Sequence, residues 1–383
     1  MKQKTKIITL VALICYTLQS FAQTDPLPVY SIVRAVHDFE WYDRQAKAWK
    51  QEIDKGSTDK MAWINYYKAN RMIWFFDSDK ITGEKTSYLL PLEDILKRAE
   101  KVIPNTFELY AIEAYENGCY SEKGRENLVK AQKLRPFDPS ILPDLMNYYQ
   151  YQNDKANIEL TSKKWLECGE MPEGLLAITY NKLMSVEPNA ILLVNGDNDT
   201  YPFWVLQNAK KIRPDVLILN VSLLGIDTYR ERVFGENNIP QVKLVKSPKI
   251  SNDVLKHIIE KVKDKPVYVS IHLDNELYKD YENKMYLTGL ALKYSEKPFD
   301  NLAVLQNNFE NKFFLDDLKL DFRNDYGRDI VNQTNLSYLA VFLKLYDHYL
   351  QSGEVQKAQK IKELAKIVSE NVGKTDWLGY FEK

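Results

Sequence analysis

Two aspartates flank an asparagine at positions 197–199, directly behind the apolar segment AILLV at 190–194. Carboxylate and amide oxygens are the ligands that Mg²⁺ and Mn²⁺ prefer in proteins. An Asp-x-Asp pair can hold such a cation against a nucleotide diphosphate or a phosphorylated sugar. Asp197 and Asp199 are therefore candidate metal ligands, and a divalent cation is the one cofactor that the sequence suggests.

Helix capping explains the same residues without any ligand. The free N–H groups at the start of a helix favour side-chain oxygens and negative charge, so Asp199 or Thr200 is expected to cap a helix that begins near Tyr201. Pro202 suits the first turn of that helix, where its missing N–H is harmless. Two carboxylates are more than one cap needs, so the sequence leaves both interpretations open.

Other polar residues end the neighbouring apolar segments, which are VLILNV at 216–221 and VYVSI at 267–271. In an open sheet the carboxyl ends of parallel strands meet at one crevice, where ligands usually bind. Gly196 permits a tight turn after the first of these strands. The candidate ligand-binding residues are Asn195, Asp197, Asn198, Asp199, Thr200, Tyr201, Trp204, Asn220 and His272.

The sequence gives little support for nucleophilic catalysis. It has no G-x-S-x-G, H-E-x-x-H or phosphate-binding G-x-x-x-x-G-K-[ST] motif. Of the four histidines, only His272 lies at the end of a predicted strand. We interpret His272 as a structural or ligand-contacting residue.

Helical segments alternate with the three strand-like segments across residues 186–300. This alternation predicts a small parallel sheet with right-handed crossovers, and we expect a fourth strand within MYLTGLALKY at 285–294.

The flanking regions have helical periodicity. One segment has the spacing of a 34-residue helix-turn-helix repeat and resembles the tetratricopeptide repeat, at Tyr115, Gly124, Leu128, Ala131 and Pro136. The C-terminal segment keeps the same offsets, at Phe342, Leu345, Tyr349, Gly353, Ala358 and Ala365. An ordinary helical hairpin is the alternative interpretation, because it uses the same packing.

The first residues indicate the compartment. A basic start, an apolar stretch and small residues at Ser20 and Ala22 predict a secretory signal peptide over 1–22. Its removal takes three lysines from the 52 basic residues and none of the 53 acidic ones, which leaves a net charge of −4. This slightly acidic net charge does not indicate the basic surface that nucleic-acid binding requires. We expect a periplasmic or secreted protein without a transmembrane segment in its mature chain.

Cys119 and Cys168 remain after that cleavage. The repeat pattern places them at opposite ends of a helical layer, farther apart than the roughly 4.4–6.8 Å between Cα atoms that a disulfide requires. Two free, largely buried thiols are expected.

The segment NGDNDTYPFWVLQNAKKIRPDVLILNVSLL at 195–224 resembles the soluble exported region of a family of multi-spanning membrane proteins common in Bacteroidetes, whose function is unknown. That family is similar to eukaryotic transmembrane protein O-mannosyltransferases. The resemblance covers about 180–295, and the matching positions are Gly196 to Trp204, Arg213, Asp215, Asn220, Ser222 and Leu223. It implies the fold of the soluble part. It does not carry over sugar transfer, which would belong to the membrane-embedded half of such proteins.

We therefore predict an α + α/β chain, with tetratricopeptide-like helical repeats flanking a small parallel-sheet α/β (Rossmann-like) domain. The expected parts are the signal peptide at 1–22, a helical region at 23–185, the α/β domain at 186–300, and a linker with a C-terminal helical hairpin at 301–383.

Two functions follow from this organisation. The first is a non-enzymatic binding or scaffold protein of the bacterial envelope, which takes a protein partner through its helical repeats and is linked to glycoprotein or surface-protein assembly. The second is a divalent-metal-dependent enzyme, or a degenerate relative of one, that acts on a glycan or lipid-linked sugar through Asp197 and Asp199.

Overall fold

The computed structural model describes residues 26–56, 58–76, 91–244, 250–320 and 326–382. These residues form two compact units. The first takes its described residues from 26–30 and 37–138, and the second from 31–36 and 139–382. The predicted signal peptide lies outside the described residues.

The first unit is helical where it is described. Its helices are α1 (Phe39–Asp54), α2 (Lys60–Phe76), α3 (Leu92–Val102), α4 (Phe107–Asn117) and α5 (Glu122–Leu134). Helix α1 packs against α2, and α4 packs against α5. Both members of the second pair begin at a hydroxyl cap, since Thr106 accepts from Leu109 N at 3.3 Å and Ser121 accepts from Gly124 N at 3.0 Å. The predicted repeat residues Leu128 and Ala131 are buried.

The second unit begins with three helices and continues into a sheet. The helices are α6 (Leu142–Gln152), α7 (Lys155–Glu167) and α8 (Glu173–Met184). The strands are β1 (Ile191–Val194), β2 (Leu217–Asn220), β3 (Val267–Ser270), β4 (Met285–Leu287) and β5 (Ala291–Tyr294). The connecting helices are α9 (Tyr201–Ala209), α10 (Asp227–Glu236) and α11 (Ile250–Lys261).

The sheet is mixed, with the strand order β2-β1-β3-β5-β4. Strand β1 pairs in parallel with β2 and β3, whereas β5 is antiparallel to both β3 and β4. The predicted all-parallel, Rossmann-like sheet is therefore not confirmed. The segment at 285–294 holds two strands rather than one, because the chain turns back at Thr288 and Gly289.

Apolar side chains on one face of the sheet form a core with α10 and α11. This core includes Ile191, Leu193, Leu219, Phe234 and Ile258. Helix α9 packs against α7 and α8. Strands β1, β2 and β3 are almost wholly buried, which agrees with their mostly apolar sequences, whereas β4 and β5 are largely half-buried.

The chain ends in helices α12 (Asn301–Asn311), α13 (Arg328–Asn335), α14 (Tyr338–Gln351) and α15 (Val355–Glu370). Helices α14 and α15 pack against each other, as the predicted C-terminal hairpin requires. Their core, which includes Phe342, Leu345 and Ala365, also contains Ile178 of α8 and Leu290 of the β4–β5 turn. The helix pair thus shares its core with the sheet region.

Both described cysteines are free. Cys119 is buried, but Cys168 is exposed, so the prediction of a buried thiol is wrong at Cys168. Its sulfur lies 3.3 Å from the carbonyl oxygen of Trp165. Within the described ranges, no helix is long and apolar enough to cross a membrane.

Candidate functional site

Asp199 lies in a buried ion pair at the carboxyl end of β1. It follows β1 in a short 3-10 turn, and the lysine that it contacts, Lys182, lies on α8. The Lys182 side chain is 1% exposed and the Asp199 side chain is 6% exposed. Lys182 Nζ donates to Asp199 Oδ1. A charge buried this deeply needs a partner of opposite sign, and each of these residues supplies it for the other.

Two residues at the end of β3 complete the surroundings of the same oxygen. Ser270 Oγ donates to Asp199 Oδ1 at 3.0 Å, and His272 Nδ1 lies 3.5 Å from it. Burial alone would raise the pKa of Asp199, but the Lys182 ammonium and His272 hold that pKa below its usual range. Asp199 is therefore ionised and internally neutralised.

Neither Asp199 nor Thr200 caps the helix that follows. Helix α9 begins without a side-chain cap hydrogen bond. Thr200 Oγ1 instead donates to Gly196 O at 2.7 Å, within the turn itself. The capping prediction is wrong because tertiary partners take the Asp199 carboxylate, whereas the Thr200 hydroxyl donates back into its own turn. Gly196 has a φ of 78°, a positive backbone angle that glycine adopts more easily than other residues, as the predicted tight turn requires.

Asp197 and Asn198 lie in the same turn but have different surroundings. Both are half-buried. Burial raises the pKa of Asp197 to about 6, against a smaller lowering effect of a hydrogen bond with Tyr201. Asn198 Nδ2 donates to Ile32 O at 3.2 Å. Across the described residues, no group of three or more His, Cys, Asp or Glu side chains could hold a metal ion.

The end of β2 joins this turn through amide side chains. Asn220 Nδ2 donates to Thr200 Oγ1 at 2.9 Å, and Asn220 Oδ1 accepts from the N–H groups of Ser222 and Leu223 at 2.9 and 3.0 Å. Ser222 Oγ donates to Asn195 Oδ1 at 2.6 Å. The three strand ends therefore meet as a hydrogen-bonded cluster of short polar side chains.

Two predicted site residues lie on the helix that follows the turn. Tyr201 and Trp204 are buried on α9, with 5.8 Å between their ring centroids. Asn147 Nδ2 donates to the Tyr201 hydroxyl at 2.6 Å. His272, by contrast, keeps 27% of its side chain exposed at the edge of the cluster.

Arg213 and Asp215 fasten the loop before β2. The Arg213 guanidinium binds both carboxylate oxygens of Asp215 at 2.9 Å. It also donates to the carbonyl oxygens of Leu183, Val186 and Glu187 at 2.8–3.2 Å. These contacts tie the loop to the end of α8 and explain why an arginine and an aspartate occur here at a spacing of two.

Sequence reasoning missed Lys182 and Ser270. The signal for Lys182 was available, because GLLAITYNKLM at 174–184 is apolar on most sides of a helix and a lysine there must be buried with a partner. Ser270 had no such signal. A serine that ends a buried strand is common, and its contact with Asp199 spans 71 positions.

Residues 176–238 match the family model described as TMEM260-associated domain 2. The matched range runs from α8 to just beyond α10, so it includes Lys182, Asp199 and Asn220. No curated protein and no solved structure matches the chain. The match agrees with the resemblance to an O-mannosyltransferase-related family for this part of the chain.

Proposed function

We propose that this chain is an exported, non-enzymatic binding or scaffold protein of the bacterial envelope, which takes part in glycoprotein or surface-protein assembly. The ion pair between Asp199 and Lys182 is the observation that supports this best. An aspartate that is buried and already neutralised by an ammonium is a poor ligand for a divalent cation. The Asp-Asn-Asp turn then serves the fold and leaves recognition to other surfaces.

The helix pairs supply those other surfaces. Pairs α1–α2, α4–α5, α6–α7 and α14–α15 each pack together, as tetratricopeptide-like repeats would. Stacked repeats of that kind offer extended surfaces that suit protein partners. Exposed apolar side chains on these helices, such as Val129 and Leu134 on α5, are 38% and 51% exposed and suit such a contact.

Cross-linking in intact host cells, followed by mass spectrometry, tests the binding role. We expect the wild-type chain to capture the same envelope proteins repeatedly, and a Val129→Asp, Leu134→Asp double variant to lose them while keeping its melting temperature. Leu320→Asp is the matched control, because Leu320 is 56% exposed and lies outside the helix pairs. Capture of no envelope protein, or equal capture by the double variant, contradicts a partner on the repeat surface.

A divalent-metal-dependent enzyme that acts on a glycan or lipid-linked sugar is the second candidate. The observation in its favour is Asp199 Oδ2, a buried oxygen without a hydrogen-bond partner among the described residues, next to a half-buried Asp197. Calorimetric titration with Mg²⁺ and Mn²⁺ distinguishes the two functions. Saturable binding that Asp197→Asn abolishes supports the enzyme and overturns the scaffold proposal.

A further inference from the structure

A groove of about 590 Å³ lies within the second unit, away from the Asp199 cluster. Helices α6, α7 and α9 form its walls together with the chain from Pro214 to Ile218, which leads into β2. Its volume lies within the range of roughly 300–1,000 Å³ that is usual for ligand sites. The proposed function does not assign an occupant to this groove.

Strand β2 is the end strand of the sheet, and no described strand pairs with its outer side. Leu217 N donates to Ala190 O at 2.9 Å, and Val221 N donates to Val194 O at 3.0 Å. Because successive residues of a strand present their N–H and C=O groups to opposite sides, those of Ile218 point away from β1. Ile218 lines the groove.

The contacts of Gln207 show that the outer edge of β2 faces the groove. Its side chain lines the groove, and its Nε2 donates to Val216 O at 2.7 Å, on the side of the strand away from β1. The Gln207 side chain thus already donates to the carbonyl oxygen of Val216, which is the first carbonyl on the outer side of this strand. Five further Asn and Gln residues line the groove: Gln150, Asn153, Asn189, Asn208 and Asn237. The amide nitrogens of Asn153, Asn208 and Asn237 already donate within the chain, so these three side chains offer a peptide mainly their oxygens as acceptors.

The charges in the groove favour an anionic occupant. Its two carboxylates already have cationic partners, since Glu159 pairs with Lys211 at 2.6 Å and Asp215 pairs with Arg213 at 2.9 Å. Lys155 and Lys265 also line the groove, and neither forms an ion pair with a described carboxylate; Lys265 Nζ donates only to a carbonyl oxygen, that of Asn237, at 3.3 Å. The groove therefore carries two ammonium groups whose charge the chain leaves uncompensated.

We propose that this groove binds an extended, acidic peptide segment, which adds to the outer edge of β2 as a further strand. The four residues of β2 span about 13 Å, so three or four peptide residues can pair with it. Backbone hydrogen bonds to Ile218 give affinity, and Lys155 and Lys265 select acidic side chains. This inference rests on the proposed binding function but uses a different surface from α5.

Fluorescence polarisation with the full chain and a labelled Glu-Val-Glu-Val-Glu peptide tests this inference. We expect a Kd below about 1 mM, weaker binding of Lys-Val-Lys-Val-Lys, and loss of binding when alternate peptide nitrogens of the acidic peptide are methylated. Lys155→Glu with Lys265→Glu should weaken binding about tenfold or more, whereas Lys256→Glu, an exposed lysine outside the groove, should not.

Hydrogen exchange supplies the direct readout, because strand addition must protect the amide proton of Ile218. Failure of the acidic peptide to bind, equal binding of the basic peptide, or binding without protection of Ile218 overturns the inference. The inference is also overturned if the groove binds maltotriose but neither peptide, because its amide side chains would then hydrogen-bond to sugar hydroxyls. If the peptide assays fail while the wild-type chain still captures envelope proteins and the Val129→Asp, Leu134→Asp variant loses them, the groove inference is overturned and the scaffold proposal stands.

Discussion

Replacement of Lys182 by methionine should lower the free energy of unfolding by about 3–5 kcal/mol. Methionine keeps much of the length of lysine but removes the ammonium that donates to Asp199. The remaining carboxylate is then a buried charge that keeps only Ser270 and the partly exposed His272 as partners, unless it takes up a proton. Urea denaturation of wild type and variant at neutral pH measures the difference.

Lys211→Met is the matched control for that experiment. Lys211 also pairs with a carboxylate, at 2.6 Å from Glu159, but its side chain is 58% exposed. Exposed pairs contribute about 0–1 kcal/mol, so this variant should lose little stability. Adding Asp199→Asn to Lys182→Met should recover much of the loss, because the orphan charge is gone. Equal losses for the two lysine variants would contradict a buried ion pair.

Gly124→Ala should lower the free energy of unfolding by about 1–3 kcal/mol. A Cβ at Gly124 would lie only 1.9 Å from the carbonyl oxygen of Gly118, in the turn between α4 and α5. That oxygen belongs to the backbone and cannot move aside without moving the turn. The effect should appear as a lower urea midpoint of the first unit, monitored by hydrogen exchange in α4 and α5.

Gly379→Ala is the control for this substitution, since a Cβ there would meet no atom within 4 Å. It should change stability by no more than about 0.5 kcal/mol. An unchanged midpoint for Gly124→Ala would show that the two helices are not held as closely as the structure has them. The packing of the predicted repeat would then need another explanation.

The sequence predicted the strands and the turn around the site better than it predicted the side-chain contacts within the site. Apolar segments at 190–194, 216–221 and 267–271 mark β1, β2 and β3, and the turn at Gly196 follows from its residue type. Their parallel pairing brings Thr200, Asn220 and His272 to one end of the sheet. Local pattern was sufficient here because buried parallel strands have a distinctive composition.

The contacts of Asp199 could not be read from local pattern. A polar residue before a helix predicts a cap, and the capping preference is a local effect of about 0.5–2 kcal/mol. Burial of Lys182 on α8 is a tertiary effect of larger size, so it decides where the carboxylate points. The hairpin of β4 and β5 was missed for a related reason. Its turn at Thr288 and Gly289 carries only a weak signal inside an apolar segment.

Carboxyl ¹³C NMR of the full chain, titrated with pH in the presence and absence of Mg²⁺, tests the central claim most directly. The ion pair predicts that Asp199 stays ionised below the usual pH range of an aspartate and that Mg²⁺ leaves its resonance unchanged, while Asp197 titrates near pH 6. An Asp199 that titrates at or above the ordinary range, with a saturable shift on addition of Mg²⁺, would contradict it.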